Sequence, residues 1–273
     1  MIGDIAPDAY RMQPNSLLLP AGTELWRVHG SGRAADAFNP RVADPHFGGS
    51  RFDSTAQDPY PFLYTALDPA TALAETLLRS TEFDPGTAMR LIPYAAVRGR
   101  SLSMLRTRCD LRLISLVSEE DLAAVCQDSW LLEAEGDGRY AKTRRWASEL
   151  RAQDSGAMGL VWQSRRHRPR LANVLFGDRF AGGEAGPDTG PGRDAGEGGD
   201  AGGSRDRNGG GGGDRNGSGG AAVGDTGRFR GGKPPEPVPS AGIPELGSPS
   251  GIEELNRLLA PLRAAVVSPW TSP

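Results

Sequence analysis

The chain has 273 residues, a formal net charge of -3, two cysteines and three histidines. This charge favours neither an acidic nor a basic partner, and the cysteines and histidines lack the spacing of a zinc site. No stretch approaches the ~20 apolar residues of a membrane span, and the N-terminus lacks the pattern of a signal peptide. We therefore expect a cytoplasmic protein with no bound metal and no membrane contact.

Short runs of apolar, β-branched or aromatic residues, bounded by Gly, Pro, Asp or Asn, predict strands in the first 180 residues. Strands and helices alternate without the regular order of a doubly wound sheet. The pattern therefore predicts an α+β fold with a mixed or antiparallel sheet and flanking helices. The predicted strands cover residues 25–28, 62–66, 89–97, 111–116, 159–163 and 172–176.

Three segments of the same region predict helices. Asp68 is a capping residue directly before a proline, which suits the first helical position, so a helix should run from there to about Arg79. Ser118 followed by Asp121 approximates a capping box and predicts a helix over 118–125. The longest predicted helix covers 139–153.

The segment 182–232 has a different composition, with 22 of the 38 glycines and no Leu, Ile, Trp or Tyr. Such a segment cannot bury enough apolar surface to offset an ordering entropy of about 1–2 kcal/mol per residue. Several prolines follow it and predict a stiffer continuation. We therefore expect an N-terminal extension (1–19), a catalytic domain (20–181), a disordered linker (182–249) and a short C-terminal helix with a tail (250–273).

The C-terminal helix begins, by its sequence, with a capping box of Ser250 and Glu253, and Pro261 limits its length. Apolar residues follow at helical spacing, which gives the helix one apolar face. This face predicts either a helix docked on the main domain or a tethered element that binds a partner. A third hypothesis is that the helix folds back and occludes the active site.

The sequence contains no phosphate loop, dinucleotide fingerprint or nucleophile elbow. The candidates for catalysis or ligand binding are therefore four individual residues within the first 180. Arg27 interrupts an apolar strand and Arg51 follows a glycine pair, and guanidinium groups in such settings can bind phosphate oxygens. Glu75 faces away from the apolar stripe of its helix, and Ser164 ends a strand. Each also has an ordinary structural interpretation. The basic run 165–168 predicts a solvated turn rather than a nucleic-acid surface.

The order of these residues and their surroundings resembles the RES domain, a family named for its arginine, glutamate and serine. The similarity covers about residues 20–180 and also includes an aromatic residue, Tyr64. The matching stretches are LWRVHG (25–30), FGGSRFD (47–53), FLYTALDPATALAETL (62–77), YAKTRRWASEL (140–150) and GLVWQSRRHRPRLANVLF (159–176).

The resemblance implies a fold related to ADP-ribosyltransferases and an enzyme that cleaves the nicotinamide–ribose bond of NAD, with phosphate or water as acceptor. It implies that Glu75 stabilises the ribosyl cation and holds a ribose hydroxyl, and that Arg27 and Arg51 hold a pyrophosphate or an incoming phosphate. Tyr64 would stack on the nicotinamide end or bond to it, and Ser164 would position the ribose. NAD would be the substrate, inorganic phosphate a possible co-substrate, and no cofactor would be needed.

RES proteins are typically toxins of bacterial toxin–antitoxin pairs, so the resemblance also implies an Xre-like helix-turn-helix antitoxin as partner. Two other functions stay open on the sequence. One is a protein ADP-ribosyltransferase, which cleaves the same bond and uses a macromolecular acceptor. The other is a catalytically silent binding module of the same fold.

Overall fold

The computed structural model describes residues 6–44, 46–181 and 231–267, and within them the chain forms ten strands and five α-helices. The strands are β1 (Ser16–Leu19), β2 (Glu24–Gly30), β3 (Phe62–Ala66), β4 (Arg90–Pro93), β5 (Arg100–Arg106), β6 (Leu111–Leu116), β7 (Gly159–Gln163), β8 (Leu171–Phe176), β9 (Glu236–Ile243) and β10 (Ala264–Val267). The helices are α1 (Pro69–Leu77), α2 (Glu119–Ala124), α3 (Trp130–Glu133), α4 (Asp137–Gln153) and α5 (Pro249–Leu259).

Eight strands form one sheet in the order β1-β6-β7-β8-β3-β2-β5-β9, and β4 pairs with β10 in a small parallel sheet. In the large sheet β6 and β7 are parallel, while the other neighbouring strands are antiparallel. The prediction of an α+β fold with a mixed sheet is therefore confirmed. Among the described helices, none combines the length and the apolar character that crossing a membrane requires.

The large sheet opens between β2 and β3. These strands pair only at Trp26 and Ala66, whereas β2 pairs with β5 along its whole length, from Glu24 to Gly30. Beyond Trp26, β2 therefore diverges from β3 and leaves a gap within the sheet. Asn39 pairs with Phe62 at the far end of β3, so a loop enters this gap. The divergence positions the cleft described below.

Helix α1 covers the sheet beside this gap. It begins as predicted, because an Asp68 side-chain oxygen accepts from the backbone N–H of Thr71 and a proline takes the first helical position. Leu73 and Leu77 are buried and belong to a cluster that also contains residues of β4, β10 and α5. Full burial of such a leucine contributes about 1.5–3 kcal/mol, so this face holds α1 firmly in place.

The boundaries predicted for the domain need correction at both ends. The predicted N-terminal extension contains β1, which pairs with β6 at one edge of the sheet. The predicted linker contains β9, which pairs with β5 at the other edge. Proline is tolerated in an edge strand, and Pro237 and Pro239 lie in β9, most of whose residues are exposed or half-buried. The disorder predicted for 182–230 lies outside the described residues.

The C-terminal helix is docked, which decides between the alternatives left open by the sequence. Its cap is Ser248 rather than Ser250, since the Ser248 Oγ accepts from the backbone N–H of Gly251 and Pro249 takes the first helical position. Leu255 and Leu259 are fully buried in the cluster that also holds α1. The apolar face is therefore occupied by the main domain, and among the described residues none of α5 lines the cleft described below.

The predicted strand 89–97 is shorter than expected, because β4 ends at Pro93 and a 3-10 turn follows. The prediction also missed β5, although its buried residues Leu102 and Leu105 make it a central part of the core. The runs predicted at 62–66, 111–116 and 159–163 are strands with those bounds.

Candidate active site

A cleft lies where β2 and β3 diverge, bounded by α1 on one side and by residues at the start of α4 on the other. Its empty volume is about 740 Å³, counted with the solvent at its mouth. Four of the five predicted site residues line it, namely Arg27, Arg51, Tyr64 and Glu75. The fifth, Ser164, lies directly behind Glu75.

The Ser164 side chain is fully buried, and its hydroxyl donates to Glu75 Oε1 at 2.6 Å. The Ser164 Oγ in turn accepts from the backbone N–H groups of Arg166 at 3.2 Å and His167 at 3.0 Å. These two donors occupy the oxygen's lone pairs, so the single hydroxyl proton is directed at the carboxylate. Ser164 is therefore placed to orient Glu75, and it presents no exposed surface to a ligand.

The turn that carries Ser164 is also tied to the N-terminus of α1. His167 Nδ1 lies 2.8 Å from Thr71 Oγ1, and the Thr71 hydroxyl donates to the capping carboxylate of Asp68 at 2.6 Å. The turn and the helix are thus held together at two points, the carboxylate of Glu75 and the helix cap. This arrangement fixes the position of Glu75 relative to the end of β7.

Arg51 presents a guanidinium group with unused hydrogen-bonding capacity to the cleft. Its Nη2 donates only a long bond, 3.5 Å, to the carbonyl of Ala134, and its buried Nε has no partner among the described residues. Burial lowers the pKa of Arg51 from its ordinary value, while Tyr140 and Glu75 act in the opposite direction. A desolvated cation of this kind favours an anionic ligand, since an unpaired buried charge is costly.

The loop that carries Arg51 is organised from α4. Arg144 is 1% exposed, and its side chain donates to backbone carbonyls of the loop. The acceptors are the carbonyl oxygens of Asp44 (2.6 Å), Gly48 and Ser50 (3.1 Å). The neighbouring Thr143 hydroxyl donates to the carbonyl of Arg51 at 2.7 Å. Two consecutive residues of α4 therefore set the conformation of this loop.

Gly49 is required in that loop for two reasons. Its φ of +74° lies in the left-handed region, where residues other than glycine are rare. A Cβ atom there would also lie 2.8 Å from the Arg144 guanidinium and 2.9 Å from the Asp53 carboxylate. The second glycine of the pair that precedes Arg51 is thus needed for close approach of the protein's own side chains.

Tyr64 has its hydroxyl fully engaged within the protein. It donates to Asp53 Oδ1 at 2.9 Å and accepts from the backbone N–H of Phe52 at 3.0 Å. Burial raises the pKa of both Asp53 and Tyr64 above their ordinary values. The Tyr64 ring lines the cleft and packs edge-on against Trp162 at 6.3 Å between ring centroids. Of the two predicted roles of Tyr64, the structure leaves the aromatic surface available and commits the hydroxyl to the Arg51 loop.

Arg27 lines the cleft and also closes the gap in the sheet. Its Nη1 donates to the carbonyl oxygens of Ala35 and Ala37, each at 2.7 Å. These residues belong to the loop that enters between β2 and β3. The arginine that interrupts the apolar strand therefore has a structural role, and its contact with a phosphate group stays a prediction.

Residues that sequence reasoning assigned elsewhere also line the cleft. The run 165–168 was expected to be a solvated turn, but Arg165 and Arg166 line the cleft mouth and both form ion pairs with Glu135 at 2.7 Å. Arg79, at the end of α1, lines it as well. The only sequence signal for Arg165 and Arg166 was their position directly after Ser164.

The lining is strongly cationic, with five arginines against two glutamates. None of the three histidines of the chain contributes to it. Across residues 6–44, 46–181 and 231–267, no cluster of three or more His, Cys, Asp or Glu side chains could hold a metal ion. The cleft therefore combines the Glu75 carboxylate, which the buried Ser164 orients, with an arginine-rich surface and an aromatic wall.

Comparison with known proteins gives a family match and a likeness to solved structures. A sequence profile described as the RES domain matches residues 24–192, more than half of the chain. A solved structure described as the M. tuberculosis MbcT-MbcA toxin-antitoxin complex is similar with a TM-score of 0.41 and 14% sequence identity. The match covers 63% of this chain and 79% of that one. No curated protein matches the chain by sequence.

Proposed function

Because the chain belongs to the RES domain family, we propose that it cleaves the nicotinamide–ribose bond of NAD, as the toxin of a toxin–antitoxin pair. The acceptor is orthophosphate, which yields ADP-ribose 1-phosphate, or water, which yields ADP-ribose. The observation that carries this proposal is the Glu75 carboxylate, oriented by Ser164 within an arginine-rich cleft.

The reaction suits a carboxylate in this setting. When the bond between ribose C1′ and the nicotinamide nitrogen breaks, both electrons leave with nicotinamide and positive charge develops on the ribosyl group. A fixed carboxylate beside that carbon stabilises the charge as it forms. Nicotinamide leaves as a neutral base from a pyridinium, so the step needs no strong general acid. The absence of histidine from the cleft lining agrees with this requirement.

The remainder of the lining supports the same substrate. Guanidinium groups bind the oxygens of a pyrophosphate with two parallel hydrogen bonds, and Arg51 lines the cleft with a buried Nε that has no partner among the described residues. The rings of Tyr64 and Trp162 give an apolar surface on which a flat pyridine ring can pack. In this proposal the arginines hold the phosphates, the aromatic wall holds the nicotinamide end, and Glu75 faces the ribose.

The test is NAD consumption and nicotinamide release by the purified full-length protein, with and without orthophosphate. Glu75→Gln keeps the size of the side chain but removes its charge, so turnover should fall by about 100-fold or more. Glu82→Gln, at an exposed glutamate just after α1, is the matched control and should keep full activity. Release that depends on phosphate indicates phosphorolysis, and release without phosphate indicates hydrolysis.

Two outcomes would contradict the proposal. If the wild-type protein consumes no NAD in either buffer, the catalytically silent binding module becomes the better interpretation. If label from the ADP-ribose portion of NAD is found on protein rather than in a small molecule, the activity is protein ADP-ribosylation.

Ser164→Ala tests the positioning role of the serine in the same assay. The substitution removes the donor to Glu75 Oε1 without touching the cleft surface. We expect kcat to fall by about tenfold while KM for NAD changes little, because the carboxylate is less well oriented in the transition state. A rise in KM with unchanged kcat would instead indicate that Ser164 contacts the substrate.

The toxin and partner parts of the proposal have a test of their own. Expression of the wild-type chain in a bacterial host should arrest growth and lower cellular NAD, and Glu75→Gln should do neither. A helix-turn-helix protein encoded beside this chain should restore growth when it is co-expressed and should co-purify with the enzyme. Normal growth with normal NAD in cells that contain soluble wild-type protein would contradict the toxin assignment.

A further inference from the structure

The mouth of the cleft holds a carboxylate between two arginines. Glu135 Oε1 lies 2.7 Å from both Arg165 Nη1 and Arg166 Nη2. All three residues line the cleft, and Arg166 Nη2 also donates to the backbone carbonyl of Arg79. The side chains of Glu135, Arg165 and Arg166 are 40%, 34% and 19% exposed, so the cluster faces both the cleft and the solvent.

The charges of this cluster do not balance. One carboxylate neutralises one of two adjacent guanidinium groups, and both groups share the same carboxylate oxygen. A phosphoryl group carries more negative charge and several acceptor oxygens, so it can give each arginine its own oxygen. Two arginines that converge on one point are therefore more complementary to a phosphoryl group than to the single carboxylate they hold.

Replacement of Glu135 by a phosphoryl group as the partner of the two arginines has a small energetic cost. Ion pairs that are partly exposed contribute little to stability, so loss of the Glu135 contacts costs the fold little. Glu135 lies in the short connection between α3 and α4, next to Gly136, which has a φ of +89°. The backbone before it is fixed, since the Ala134 N–H donates to the carbonyl of Trp130 at 2.9 Å, so the exchange requires movement of the Glu135 side chain rather than of the backbone.

We propose that Arg165 and Arg166 form a phosphoryl-binding subsite at the cleft mouth, which Glu135 occupies in the ligand-free protein and vacates when the ligand binds. The subsite is additional to Arg27 and Arg51. The source of the phosphoryl group is the one part that rests on the proposed function. The phosphoryl group belongs either to the pyrophosphate of the dinucleotide or to free orthophosphate. Glu135 acts as an internal competitor that sets the affinity of the site for anions.

The test measures the Kd of ADP-ribose and of orthophosphate by calorimetry at constant ionic strength. Glu135→Gln keeps an oxygen that can accept from the arginines but removes the competing charge, so the affinity should rise about fivefold. Glu133→Gln is the matched control, because Glu133 forms a similar ion pair with Arg168 at 2.9 Å and does not line the cleft. Arg166→Gln should weaken binding by about tenfold.

The two probes identify the source of the phosphoryl group. A gain in affinity for ADP-ribose alone assigns the subsite to the pyrophosphate, and a gain for orthophosphate assigns it to the free anion. Unchanged or weaker binding of both probes to Glu135→Gln would overturn the proposal. Because binding is measured without turnover, a protein that fails to consume NAD but shows the expected change in affinity keeps the subsite and loses only the proposed function.

Discussion

Arg144 is a buried cation whose resolved hydrogen bonds go to backbone carbonyls. Its planar guanidinium offers five donors in a fixed geometry, which allows one side chain to bind three carbonyl oxygens of a single loop. The backbone carbonyls of Asp44, Gly48 and Ser50 are consequently held around this arginine, and Arg51 lines the cleft from the same loop. A buried side chain outside the cleft lining therefore sets the conformation of the loop that carries Arg51.

Arg144→Met should destabilise the protein by about 2–4 kcal/mol, since it leaves the loop carbonyls without their buried donor. Arg145→Met, at the exposed neighbouring position, is the control and should change the unfolding free energy by less than about 0.5 kcal/mol. Denaturant unfolding followed by circular dichroism measures both. Equal stability of the two variants would show that the loop holds its conformation without Arg144.

Helix α2 shows how a local signal also joins distant elements. The capping box of Ser118 and Asp121 is present as the sequence predicted. The Asp121 carboxylate additionally accepts from the Ser115 hydroxyl at 2.5 Å, the Val117 N–H at 3.0 Å and the Asn15 amide at 3.0 Å. It thereby connects the cap of α2 to β6 and to the residue before β1.

Asp121→Asn should lower stability by about 1–2 kcal/mol at neutral pH, because an amide cannot accept at both of its terminal atoms. Burial acts to raise the pKa of Asp121, but hydrogen bonds from Ser115, Asn15 and the backbone outweigh it and hold the pKa below the ordinary 3.8. The stabilisation is therefore fully present above about pH 4 and is lost as the pH falls through the folded-state pKa.

Urea unfolding at several pH values tests this dependence. The difference between the wild-type protein and Asp121→Asn should be largest near neutrality and should shrink at the lowest pH, with Glu119→Gln in the same helical turn as control. A difference that stays constant down to about pH 2 would mean that the carboxylate charge contributes nothing.

At the scale of the whole molecule, the chain leaves the domain after Ala181 and returns to it at Gly232, beside the point where it left. The backbone N–H of Ala181 donates to the carbonyl of Gly232 at 2.8 Å, and Phe180 forms a bridge with Gly232. The two ends of the segment 182–230 are thus adjacent. The returning chain supplies β9, α5 and β10, and α5 packs against α1, the helix that carries Glu75.

Replacement of residues 182–230 by a linker of about four glycine and serine residues should leave NAD turnover unchanged and Tm within about 2 °C, because the ends already meet. Removal of residues 182–273 should instead abolish the cooperative transition or lower Tm by more than about 10 °C, since it exposes the buried face of α1. Thermal unfolding of the two variants side by side measures this. An unchanged Tm after the larger deletion would contradict the docked position of α5, and a gain in turnover would revive the occlusion hypothesis.

Several features could be predicted from the sequence, because their causes lie within a few residues of each other. The N-terminus of α1 follows from Asp68 and the proline after it, and the capping box of α2 from Ser118 and Asp121. The strands at 62–66, 111–116 and 159–163 follow from short apolar runs with clear boundaries. The order of arginine, glutamate and serine also identified the family from the sequence alone.

Other features depend on contacts between residues far apart in the chain, and only the tertiary structure decided them. The sequence could not show that β9 completes the sheet, because its pairing with β5 relies on backbone groups that carry no side-chain signal. It could not show that the Ser164 hydroxyl points at Glu75, 89 positions away. Nor could it place Arg165 and Arg166 in the cleft, because a basic turn is equally compatible with solvent. Local hydrogen bonds and periodicity determine the elements, whereas the assembled sheet determines which side chains meet.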